Sequence, residues 1–200
     1  MFARLAQADT AASAAGHACV VLIDGPAGAG KSTLADVVIA NWPGPARPTL
    51  VRMDDLYPGW GGLDAGSRSL GTELLGPRRA QKGGRWQRYN WETAELDEWT
   101  AVDPREPLVV EGCGTMSRAN TPLADLRIWL TADDALRKSR ALTRDHGGFD
   151  AHWDHWQAQF DVFVARETPT ALADVTLDVT DWPLDLRDRR ASAGLTWSHE

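Results

Sequence analysis

The run Gly25-Pro26-Ala27-Gly28-Ala29-Gly30-Lys31-Ser32 fits the spacing G-x-x-x-x-G-K-[ST] without a gap. The apolar segment "ACVVLIDG" precedes it and the helix-periodic "KSTLADVVIANW" follows. Phosphate chemistry needs these residue types at this spacing. Glycines let backbone amides curl around phosphate oxygens, and a helix N-terminus adds positive potential at the same place. A lysine here bridges the outer phosphates and a hydroxyl ligates Mg²⁺. Gly25, Ala27, Gly28, Ala29, Gly30, Lys31, Ser32 and Thr33 are therefore the candidate nucleotide-binding residues, with ATP and Mg²⁺ as the expected cofactors.

A second stretch, "VRMDDLYPGWGGLD" at 51–64, sets two adjacent carboxylates at the end of an apolar run. Two neighbouring carboxylates repel and hydrate strongly, so a chemical use is the natural question. Asp54 suits a base that accepts a hydroxyl proton, or a metal partner acting through water. Asp55 reads as a cap or turn residue.

The elements that would position these groups alternate. Apolar strand runs fall at 18–25, 49–55, 107–113, 125–132 and 173–180, with helical patterns at 31–42, 133–147 and 150–169. Residues 94–102 also read as helical, and 69–75 as a short helix within a stretch rich in Gly, Arg and Ser. Asp-rich residues open the 133–147 segment and basic ones close it, as a helix dipole favours. This alternation predicts an α/β three-layer fold with a five-stranded parallel sheet. In such sheets ligands bind outside the carboxyl ends of the strands. That edge should carry Gly25–Ser32, Asp54–Tyr57 and Glu111–Gly112.

From these motifs the chain resembles the uridine kinase family of P-loop kinases, which is related to phosphoribulokinase. "DDLY" matches the family's Asp-Ser-Phe-Tyr segment, "YNW" (89–91) its Tyr-Asp-Phe, and "VVEG" (109–112) its Phe-Glu-Gly strand end. "SRALTRDHGG" is similar to its arginine-bearing lid, and "LADVTLDV" to its closing strand; the order holds over about residues 18–180. The resemblance implies a P-loop NTPase fold with a helical lid and transfer of the γ-phosphate to a hydroxyl of a small, nucleoside-like molecule. A nucleoside monophosphate, a non-nucleoside alcohol, and a non-catalytic ATP-binding module are the alternatives. It implies Asp54 as general base and Tyr57 and Tyr89 in the acceptor pocket. It also implies Glu111, with Ser32, in the metal shell, partly through water, and Arg140 and Arg144 reaching over the phosphates. The family's histidine and further arginine after the Tyr-Asp-Phe segment have no counterpart in "YNWETAELDEW".

The segment 77–91 carries Arg78, Arg79, Lys82, Arg85 and Arg88 with no acid. It reads either as a capture site for an acceptor already bearing a phosphate, in which Arg88 would contact substrate, or as a solvated basic loop. Trp60, Trp86 and Trp91 are candidates to stack on a ring. Arg137 and Arg140 lie one turn apart, which leaves one of them open to reading as a surface residue. "HWDHW" at 152–156 lacks a third ligand and reads as a packing or lid element.

The remaining bounds are broad. At 200 residues, a single domain with a polar tail at 181–200 is the expectation, and residues 1–18 read as a short leading helix or arm. Net charge is −7, which argues against a nucleic-acid partner, and no apolar run approaches membrane-spanning length. No guanine-reading N-K-x-D segment is present. Cys19 and Cys113 lie in apolar runs without metal-ligand spacing, which reads as two buried thiols in a reducing cytoplasm. The expected partner is a small-molecule acceptor, with a homodimer also compatible.

Overall fold

The computed structural model describes residues 1–181. Its strands are β1 (Val20–Asp24), β2 (Thr49–Arg52), β3 (Gly84–Asn90), β4 (Glu95–Val102), β5 (Leu108–Glu111), β6 (Leu126–Thr131) and β7 (Val175–Asp178). Its helices are α1 (Phe2–Ala14), α2 (Lys31–Ala40), α3 (Leu63–Ser69), α4 (Gly76–Arg79), α5 (Asp134–Arg144), α6 (Trp153–Glu167) and α7 (Pro169–Leu172). Five strands form one sheet in the order β2-β5-β1-β6-β7, and every pairing is parallel.

A parallel sheet must be covered on both faces, which is why its inner strands β1 and β5 are almost wholly apolar. β1 lies at the centre and is buried along its whole length. Its side chains alternate between faces. Val21 and Ile23 join Val109, Ile128 and Leu130 under α1 and α2, which contribute Leu5, Ala12, Leu34 and Val38. Val20 and Leu22 join Val110 and Trp129 on the other face, packed against Leu63 of α3 and the aromatic stripe of α6. That stripe is Trp153, Trp156, Phe160 and Phe163, one side of a helix, all buried. Each such side chain contributes about 1.5–3 kcal/mol on burial. The predicted five-stranded parallel sheet is thus borne out. Asp133 caps α5 by accepting the amide N–H of Leu136 at 2.9 Å.

Three local expectations are corrected. Residues 94–102 form strand β4, which pairs antiparallel with β3 in a separate hairpin. Seven of its eight residues are exposed, so the sequence there carries neither helical nor strand periodicity. The turn decides the outcome: the side-chain oxygen of Asn90 accepts the amides of Glu92 and Thr93, and Ala94 adopts φ +58°. Residues 63–79 are helical throughout, α3 and α4 being joined by a wide turn at Leu70–Leu75. Asn120 inserts there: its Nδ2 donates to the carbonyl of Ser67, and its Oδ1 lies 2.3 Å from where a side chain on Gly71 would begin. The basic segment 77–91 is not a loop but α4 and β3. Residues 2–14 form α1, and the expected tail lies outside the described residues apart from Asp181. No helix among the described residues is long and apolar enough to cross a membrane.

Candidate active site

The glycines of the 25–32 loop answer to close backbone approaches. A Cβ on Gly25 would lie 2.4 Å from the carbonyl oxygen of Leu130 in β6. Gly28 has φ +79°, and a Cβ there would lie 1.9 Å from the carbonyl oxygen of Arg137 in α5. The loop is therefore clamped between the sheet and α5. Gly30, at φ +78°, ends it and leads into α2. Ala29 is buried in the core beneath α2, so its side chain serves packing.

One cavity of about 580 Å³ opens above this loop at the carboxyl edge of the sheet. Ala27, Gly28, Gly30, Lys31, Ser32 and Thr33 line one end of it, with Asp54 and Glu111 beside them. Lys31 is buried; its Nζ donates to the carbonyl of Pro26 at 2.9 Å and lies 3.5 Å from the sulfur of Cys113. Burial opposes its charge, yet Cys113 and the carboxylates of Glu111, Asp24 and Asp54 more than offset this and hold the ammonium above its ordinary value. Ser32 Oγ donates to Glu111 Oε1 at 2.9 Å, and Arg52 Nη1 donates to the same oxygen at 2.9 Å. A hydroxyl next to a carboxylate is the oxygen donor set that a hard cation takes, so Ser32 and Glu111 fit Mg²⁺.

Asp54 sits in a single tight turn, Met53–Asp55, directly after β2. It opens into the cavity, accessible from there but hemmed in by protein. That desolvation pushes its carboxyl above the ordinary 3.8; Glu111 adds to the rise, and Lys31 and Arg144 oppose it. A carboxyl raised in this way is a better match for proton transfer near neutrality than an ordinary aspartate.

The other predicted residues divide. Tyr57 lines the cavity, and its buried hydroxyl donates to the carbonyl of Cys113 at 2.6 Å. Arg140 and Arg144 also line it, both from α5. Arg140 donates to the carbonyls of Val179 and Thr180 at 3.0 Å, tying α5 to the end of β7. Arg144 pairs with Asp145 at 2.8 Å and is exposed. Arg137 is not a surface residue: it is buried, bonded to Asp134 and Gln157, and reaches the carbonyl of Ala27 in the loop. Arg88 and Tyr89 stand on the hairpin outside the cavity lining. Arg88 pairs with Asp55 at 3.0 Å, and the ring of Tyr89 stands edge-on to Trp91 at 5.4 Å. Trp91 in turn lines the cavity and donates its indole N–H to the carbonyl of Asp54.

Two residues escape motif reading. Asp24, the last residue of β1, is fully buried and accepts the amides of Gly25, Met116 and Gly114 at 2.7, 2.8 and 3.0 Å. It thereby ties the start of the phosphate loop to the segment after β5. Burial pushes its carboxyl up to about 6, against the pull of those amides and of Lys31. Cys113 is buried in the core, as expected, and also reaches the cavity wall beside Lys31; burial pushes its thiol up. An aspartate at a strand end and a cysteine in an apolar run give no spacing signal of their own. His152 stacks on Trp60 with ring centroids 4.2 Å apart, and among the described residues no cluster of His, Cys, Asp or Glu is arranged to hold a metal.

A parallel five-stranded sheet with a glycine-rich loop between its central strand and the next helix, and helices on both faces, matches the fold of P-loop kinases. Solved structures share it. One described as a possible uridine kinase from Bacillus stearothermophilus aligns with a TM-score of 0.59 at 18% identity, covering 89% of this chain and 100% of that one. One named as a candidate fructose transport system kinase from Silicibacter sp. TM1040 aligns with a TM-score of 0.55 at 20% identity, covering 84% of this chain and 91% of the other. No family model matches the chain, and no curated protein does.

Proposed function

We propose that this protein is an ATP- and Mg²⁺-dependent phosphotransferase acting on a hydroxyl of a small, ring-bearing molecule. The carrying observation is that the phosphate loop with Lys31 and Ser32, the Glu111 carboxylate and the raised Asp54 carboxyl all open into one cavity. The solved structures that share the fold are named as kinases, which favours the same reading.

When bound, Mg-ATP supplies the transferable phosphoryl group and the metal's positive charge. The loop amides and Lys31 hold phosphate oxygens, while Ser32 and Glu111 hold the metal, Glu111 partly through water. Asp54 accepts the proton of the attacking hydroxyl, which it would hold in the cavity that Lys31 and Glu111 also line. Arg144, on the exposed end of α5, is free to turn from Asp145 toward developing charge on the transferred group. Arg140 holds α5 in place for that movement. Tyr57 and Trp91 shape the wall next to Asp54.

The reading is tested by calorimetric titration of the wild-type chain and Lys31→Ala with Mg-ATP. Loss of the lysine is expected to weaken binding by about tenfold or more, on the order of 1.4 kcal/mol. Equal affinity in the two proteins would remove the nucleotide from this site.

A further inference from the structure

The end of the cavity away from the phosphate loop is built almost entirely from rings. Trp60 lies at its centre, tilted over Trp91 at 4.9 Å, parallel to Phe149 at 5.2 Å and edge-on to Trp156 at 6.4 Å. Tyr57 stands edge-on to Trp156 at 4.8 Å. All five line the cavity.

Two of their polar atoms are spent on the protein itself. The Tyr57 hydroxyl is held by the carbonyl of Cys113, and the Trp91 indole N–H by the carbonyl of Asp54. No side-chain amide is among the described residues that line this cavity. A ligand ring rich in hydrogen-bonding atoms would find few protein partners for them on these ring faces.

The cationic side chains of the 77–91 segment are all engaged or placed elsewhere. Arg78 is buried and donates to the carbonyls of Asp103 and Glu106, and Arg79 binds His17 and Asp125. Arg85 pairs with Glu73 and lies over Trp99, Arg88 pairs with Asp55, and Lys82 lies in a different, open cleft beside Asp103. Of the cavity's own cations, Lys31 and Arg144 are assigned to the nucleotide phosphates, and Arg140 is held by the carbonyls of Val179 and Thr180. An acceptor phosphate would have no cation of its own and would face Asp54. A cationic amine would share the cavity with Lys31, Arg140 and Arg144 and equally with the carboxylates of Asp54, Glu111 and Asp145, so charge alone does not select for or against it.

We propose that the acceptor is an alcohol on an apolar, aromatic framework, rather than a nucleoside or a nucleotide. This rests on the phosphotransferase reading and names the substrate class of that same site.

The test is equilibrium binding to the full chain saturated with Mg-AMP-PNP, whose own affinity is measured first in wild type and Lys31→Ala. Indole-3-ethanol and naphthalene methanol are compared with uridine, uridine monophosphate and choline. At least one aromatic alcohol is expected to bind about tenfold more tightly than any of the other three. Trp60→Ala should weaken that binding by about tenfold and leave the nucleotide affinity within about twofold, while Trp60→Phe, which keeps a ring face, should restore most of it. Tighter binding of uridine, its monophosphate or choline overturns the proposal, as does the absence of binding by both aromatic alcohols or equal binding by Trp60→Ala. Failure of the phosphotransferase reading would show separately, as absent Mg-AMP-PNP binding or binding indifferent to Lys31.

Discussion

Replacing Glu111 by glutamine removes one negative charge from the cavity while keeping the size of the side chain. Glu111 is buried and its Oε1 accepts two bonds, from Ser32 at 2.9 Å and from Arg52 at 2.9 Å. Glutamine retains an oxygen for both donors, so what is lost is the charge assistance, about 1 kcal/mol. Arg52 is 34% exposed and keeps its pair with Asp36 at 2.8 Å, so solvent and that second partner hold the cost to about this size. For a chain of this length, about 1 kcal/mol lowers the melting temperature by about 2–4 °C. The electrostatic consequence is more specific. Glu111 helps to raise the Asp54 carboxyl, so its neutralisation lets Asp54 ionise at lower pH. A base must be ionised to act, and the acidic limb of kcat/KM against pH should therefore shift to lower pH in Glu111→Gln. The apparent Mg²⁺ affinity should fall at the same time by about tenfold or more. Thermal melts, a Mg²⁺ titration and a pH–rate profile on the same variant read all three. An acidic limb that stays in place or moves to higher pH would refute the coupling between Glu111 and Asp54.

Other outcomes follow from the same geometry. Gly28→Ala forces a residue with φ +79° to carry a Cβ at 1.9 Å from the backbone of α5. The backbone conformation alone costs about 1–2 kcal/mol, and the clash must be relieved by moving the loop, so Mg-ATP binding should be lost in titration even where the fold survives. Asp24→Asn leaves at least one of three buried amides facing an NH₂ group, and should destabilise by about 1–3 kcal/mol in denaturant melts. The same variant changes the pH dependence. The folded value of Asp24, about 6, lies above the ordinary 3.8, so the folded state holds the proton more tightly. This contribution is fully present below the ordinary value and is lost as pH rises through about 6, an upper limit of about 3 kcal/mol. Wild type should lose that component between about pH 4 and 6 and Asp24→Asn should not; parallel stability curves for the two proteins would contradict it.

The place of the 25–32 loop was legible because its glycines, lysine and serine keep a fixed spacing between an apolar strand and a helix. The central strands were legible because burial on both faces leaves an unbroken apolar run, as in "CVVLID" and "PLVVEG". The hairpin was not, since β4 is exposed on nearly every residue and its formation depends on the Asn90 turn. Arg78 shows the limit of charge counting. Within a run of bases it reads as solvated, yet it is buried against two carbonyls that lie 25 and 28 residues away in sequence. The ring-lined end of the cavity is likewise assembled from β2's following loop, the hairpin turn and the start of α6, which no local spacing connects.

The most direct test of the central claim is acceptor-dependent ADP release by Asp54→Asn beside wild type, with the alcohol that gives wild type its fastest turnover. The account predicts a fall of about 10²–10⁴-fold in rate with Mg-ATP affinity within about threefold of wild type. Turnover within about tenfold of wild type would contradict it and take the base role from Asp54.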